Sequence, residues 1–308
     1  MVKREIVPAE ALPQMVWGGP GAGNFVLQSP PLFGRIAPMH SLAPRPVGLL
    51  FSLVLAGTAC AEKPAQADLD HIREELGVNS FTAPSIQIIL QELNALKPFP
   101  FDKVWRDLPE ATPQDRARLA LSTGAVIADG FLTVVSEKQS RIEPVGRTLL
   151  RLAKGLGVSE HVTKHSRSII ENAARQRWDD IRQELVRAQA DVEAALLGLK
   201  DEEMAHLVAL GGWLRGLEMT TSIVHEDYTP ERARRLIQPE LMDYFLDRVG
   251  TLNPTFKKTK LGTVMEKNLR EIKGLTTKPV NVPVEPGDVK QVRNLVREIN
   301  ALIANGDE

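Results

Sequence analysis

Residues 119–135 read LALSTGAVIADGFLTVV, and residues 207–224 read LVALGGWLRGLEMTTSIV. The first stretch carries a single charge, Asp129, and the second carries Arg215 and Glu218. A helix without a polar face must be enclosed by other helices, so both segments are expected at the centre of a bundle. Glycines at positions 124, 130, 211, 212 and 216 each cost a helix up to about 1 kcal/mol against alanine. Their expected use is to let a neighbouring backbone, or a ligand, approach closely. Asp129 cannot stay charged and unpaired among apolar neighbours without a penalty of several kcal/mol. The prediction is a largely buried carboxylate within salt-bridge reach of a cation. Arg215 is the expected cross-helix partner, with Glu218 sharing the guanidinium. Asp129, Arg215 and Glu218 are therefore the candidate binding residues. The first reading of them is a structural ion pair that fixes helix register. The second is a polar group orienting a small apolar or metal-containing ligand between the two rods. General acid or base chemistry by Asp129 or Glu218 comes third.

Beyond these rods the punctuation is helical almost throughout. Asp68 to Leu76 reads as a short helix stopped by Gly77; Thr82 and Pro84 open Ile86 to Leu96, which Pro98 ends. Phe99 to Trp105 is a short apolar connector. Thr112, Thr229 and the residue before Pro239 stand where helix caps are expected, each with proline at or near the first helical position. Ser159 is expected to cap a helix of about 38 residues, roughly 57 Å long, ending at Gly198. Its stripe runs Ile170, Ala174, Trp178, Ile181, Leu185, Ala188, Val192, Ala195 and Leu199, the three- and four-residue spacing of a coiled coil. Paired with Glu202 to Val224, it predicts a long helical hairpin. Its charged face holds seven basic and seven acidic residues and reads as a solvated surface.

The predicted fold class is thus all-α: a multi-helix bundle with a long coiled-coil-like hairpin and no significant sheet. The bundle is expected over residues 68–250, followed by a basic and then Pro-rich linker over 251–287. A C-terminal helix over 288–306 is expected to dock back on the bundle. Asp288 and Gln291 suggest its capping box, Val289 to Leu302 its apolar stripe, and Gly306 its end.

The N-terminal part reads as an address. Residues 1–38 are rich in glycine and proline without periodicity and read as a disordered leader; because they lie upstream of where an export signal normally starts, Met39 is the alternative initiator. Arg45, the apolar run Val47 to Gly57 and the small residues through Ala65-Gln66-Ala67 follow the order of a secretory signal peptide over 39–67. The run of about 11 residues falls short of the ~20 that span a bilayer as a helix. Thr58-Ala59-Cys60 resembles the bacterial lipoprotein signal class, although Gly57 stands where that class usually has leucine. The resemblance implies a lipid anchor at Cys60; the competing cut after Ala67 leaves a mature chain with no cysteine. No transmembrane helix is expected in the mature chain.

Composition narrows the chemistry further. A formal charge of −1 and 5% aromatic residues argue against a nucleic-acid partner. One cysteine excludes a disulfide framework within the chain and a multi-cysteine metal site. His161 and His165 are four apart, but no HExxH accompanies them, and they read as two exposed histidines rather than a metal pair. His206, four residues after Glu202, reads as a helical ion pair. No G-x-S-x-G elbow, P-loop or dinucleotide fingerprint stands in a supporting context. No cofactor and no metal are expected. The expected function is an exported, periplasmic or envelope-associated, non-catalytic binding or scaffold module. Its partner is an unknown protein or a small apolar ligand.

Overall fold

The computed structural model describes residues 87–279 and 282–306. The expected helix over 68–76, the cap at Thr82 and the signal over 39–67 lie outside them. Among the described residues there are twelve helices and no strand. They are α1 (Gln87–Ala95), α2 (Phe101–Val104), α3 (Arg116–Val135), α4 (Gln139–Leu156), α5 (Ser159–Ala174), α6 (Trp178–Gly198), α7 (Glu202–Glu226), α8 (Pro230–Arg234), α9 (Pro239–Thr251), α10 (Pro254–Lys257), α11 (Lys260–Thr276) and α12 (Pro286–Asn305). The all-α bundle is as the sequence predicts.

The two apolar rods are α3 and α7, and among the described helices they form the most extensive pair. Every residue from Leu119 to Val135 is buried, as is Met204 to Val224 apart from half-buried Glu218. By length and hydropathy α3 could cross a bilayer, but 94% of its apolar window is buried inside the protein. The rods run in the same sense: Arg116 pairs with Asp201 near their starts, and Asp129 meets Arg215 further along. α12 lies antiparallel to both. Asn300 donates to the Leu214 carbonyl on one side, and Ser122 donates to the Ile303 carbonyl on the other.

Glycine makes the central approach close. A Cβ on Gly124 would collide with the Val208 carbonyl and fall 2.7 Å from the Gly212 amide nitrogen. One on Gly211 would collide with the Leu121 carbonyl. At these positions the approaching group is backbone. Gly130 instead faces Val145 and Leu185 side chains, and Gly216 faces Ile89.

The predicted 38-residue helix is two helices. α5 ends at Ala174, α6 begins at Trp178, and the two fold against each other as their own hairpin. The break carries neither glycine nor proline. Gln176 adopts φ 54°, and Arg177 donates back to the Asn172 carbonyl at 2.9 Å, so the last turn of α5 closes in a Schellman pattern. Glu137 and Lys200 stop α3 and α6 in the same way, with φ 53° and 58°. The predicted stripe consequently misses at its ends: Ile170 is 47% exposed and Leu199 59%. A left-handed residue with a Cβ is strained by roughly 1–2 kcal/mol. Gln176→Gly should therefore raise stability by up to about 1 kcal/mol, part of the relief being lost to the freer unfolded chain. Thermal melts of the two proteins check this, and a lower melting temperature for the variant would count against it.

Other boundaries shift too. α3 starts at Arg116 under an Asp115 cap that accepts from the Arg118 amide at 2.7 Å, not at Thr112. Thr229 caps α8 as expected, with Pro230 at the first position. Ser159 opens α5 without a side-chain cap. α12 begins at Pro286, so the Asp288–Gln291 capping box does not form. Asp288 takes Lys278 at 2.8 Å, while Gln291 donates to Glu271 at 2.6 Å. The stretch expected as a linker over 251–287 holds α10 and α11. Leu261, Met265, Leu269 and Ile272 of α11 are buried, packing the helix on α12 and α9.

Candidate functional site

The three residues singled out in the sequence meet. Arg215 donates from Nε to Asp129 Oδ1 at 2.8 Å, and its Nη1 lies 3.0 Å from Glu218 Oε2. Asp129 is 0% exposed and Arg215 1%. The second carboxylate oxygen is also taken: Arg106 places Nε 3.1 Å and Nη2 3.0 Å from Asp129 Oδ2. The remaining reach of Arg215 is spent on the Val104 carbonyl at 2.8 Å. Glu218 accepts from Asn300 at 2.8 Å and faces Arg297 at 3.7 Å. Charges alternate from end to end: Arg106, Asp129, Arg215, Glu218, Arg297.

The electrostatics of the centre follow from this order. Burial alone pulls the Arg215 guanidinium down, but the adjacent Asp129 and Glu218 carboxylates together outweigh it and hold it above its ordinary value. Arg215 is charged at every accessible pH.

Arg106, Arg297 and Asn300 are not among the sequence candidates. Arg106 follows the apolar connector and carries no periodic mark. Asn300 does leave a sign: it stands four residues after Val296, on the buried face of α12.

Two further polar clusters lie elsewhere. His161 is exposed as expected, but His165 is buried. Its Nδ1 lies 2.6 Å from Glu184 and its Nε2 2.9 Å from Asp191, which also takes Lys164 at 2.7 Å. Both contacts are hydrogen bonds only when both ring nitrogens carry protons. This cluster ties α5 to α6. Among the described residues no group of histidine, cysteine or carboxylate side chains is arranged to hold a metal ion.

The other cluster joins α6, α7 and α9. Rather than only facing Glu202, His206 sets its Nδ1 2.7 Å from the Tyr244 hydroxyl. Burial and Arg248 pull the imidazole below its usual range, leaving it neutral at pH 7. Burial pushes Tyr244 up to about 12 and Glu193 up to about 7, the latter only partly offset by the Gln189 amide at 2.7 Å. The folded state then holds the Glu193 proton more tightly than the unfolded chain does. Stability from this group is intact below pH 4.5 and falls as pH rises toward 7, by an upper limit of about 3 kcal/mol. Glu193→Gln should flatten the decline in urea stability between pH 5 and pH 8. An unchanged slope would place the titration elsewhere.

The fold and its centre thus define an all-helical bundle whose core is crossed by a chain of alternating charges. No family model, no curated protein and no solved structure matches this chain.

Proposed function

We propose that the protein is exported to the bacterial envelope and acts there by binding, as a non-catalytic helical module. The observation that carries the binding reading is the saturation of Asp129. Arg215 holds one of its carboxylate oxygens and Arg106 the other. The carboxylate best placed for acid–base work is therefore committed to holding helices together. Export is supported by the order of charge, apolar run and small residues over 39–67, with Cys60 offering a lipid anchor.

A protein partner is favoured over a small apolar ligand. A ligand lying between the two rods would need space that backbone already fills, since a Cβ on Gly124 or Gly211 would collide with the facing carbonyl of Val208 or Leu121. Mass spectrometry of the protein recovered from its source under native conditions tests both parts. The expected result is a chain beginning at Asp68, or at a lipidated Cys60, with a protein co-purifying. An intact Met1 overturns export, and a stoichiometric apolar small molecule overturns the choice of partner.

A further inference from the structure

The alternating chain is not electrically closed. It holds three guanidinium groups, Arg106, Arg215 and Arg297, against two carboxylates, Asp129 and Glu218. Arg106 directs two of its five N–H donors at Asp129, leaving three. It lies 21% exposed at the wall of a cleft of about 400 Å³, between the connector following α2 and the C-terminal end of α12. Arg118, from the first turn of α3, lines the same cleft. Its Nε is buried without a hydrogen-bond partner, and its guanidinium makes no ion pair among the described residues. An Nη of Arg118 occupies the space a Cβ on Gly306 would fill, so the backbone there is shaped around it. Buried cationic donors without partners are costly. One such donor, Arg118 Nε, lines the same cleft as the half-buried guanidinium of Arg106, whose remaining N–H groups are not taken by Asp129.

The rest of the lining sets the ligand class. Leu108, Pro109, Pro113 and Ile303 supply apolar wall, while Asp107 and Glu110 stand exposed at the rim. The formal charges of the four ionisable groups cancel, so the cleft has no general pull on anions. Recognition must come from directed donors at the floor. The rim carboxylates repel a dianion, and the walls favour a hydrocarbon body. We propose that this cleft binds a small monocarboxylate with an apolar tail, its carboxylate held between Arg106 and Arg118. The site goes beyond the reading of the protein as a scaffold. The protein partner of that reading can be present or absent without altering this prediction.

Hexanoate titrated into the full-length protein, followed by calorimetry, is the test, with inorganic phosphate and succinate as comparison probes. Hexanoate should bind saturably with a Kd on the order of 0.1–1 mM. Arg118→Gln should weaken it by about tenfold or more, the loss expected for a charge-assisted contact. Because that side chain holds no described partner, the variant is expected to fold as the parent does, and its thermal melt verifies this. Arg118→Lys should recover part of the affinity, and Arg147→Gln, at an exposed surface pair on α4, should leave it unchanged. Absence of saturable hexanoate binding up to about 50 mM, or equal affinity in Arg118→Gln, overturns the site. Phosphate or succinate binding as tightly as hexanoate overturns the ligand class.

Discussion

Asp129→Ala should destabilise the protein by about 3 kcal/mol, and replacing Arg215 by methionine in the same chain should restore a large part of it. The carboxylate is 0% exposed and neutralises Arg215 while also holding Arg106. Removing it strands one guanidinium in the core, and breaking a buried pair from one side costs roughly 3–5 kcal/mol. Glu218 keeps its contact with Arg215 at 3.0 Å, which places the effect at the lower end. Removing both members takes one charge of each sign out of the core and leaves Glu218 its contacts with Asn300 and Arg297, and replacing a buried pair in this way is often neutral. Urea unfolding of both singles and the double variant measures the coupling. Additive losses, or a single-variant cost under about 1 kcal/mol, would mean that the pair is not what holds the rods in register.

The second large effect belongs to Gly124. A Cβ there collides with the Val208 carbonyl, and no side-chain rotation can relieve a clash with backbone. Gly124→Ala should cost about 3 kcal/mol or more, at the upper end of overpacking penalties, because α3 and α7 must move apart. Gly274 provides the opposite control. It lies inside α11, exposed, and a methyl group added there would meet nothing within 4 Å, so Gly274→Ala should gain about 0.5–1 kcal/mol from helix propensity alone. Equal effects at the two positions would show that the rods are not in backbone contact.

These expectations differ in how far ahead they can be read. The rods, their pairing and the burial of Asp129 are visible in residues 119–135 and 207–224, because uninterrupted apolar helices have only one place to go. The helix ends are less visible. Gln176, Glu137 and Lys200 adopt left-handed conformations that glycine or asparagine usually mark, so a continuous stripe conceals a turn. Ile170 and Leu199 fall on that stripe and are exposed for the same reason. α11 is masked by its charge: the seven basic residues around it read as a linker until Leu261, Met265, Leu269 and Ile272 are seen facing α12. His165 looks in sequence like one of two surface histidines, and only the folding of α6 back onto α5 brings Glu184 and Asp191 to its ring.

Local chemistry decided the class of the fold and which charges had to find partners, since helix propensity, apolar continuity and the penalty on a lone buried carboxylate act within one segment. Tertiary structure alone decided who the partners are. Arg106 stands 23 positions from Asp129 in the chain, and Asn300 stands 82 from Glu218 and 86 from Leu214, so their contacts are made by geometry rather than proximity in sequence. Reach and direction in space are set by helix packing, and nothing in the order of residues along the chain encodes them one by one.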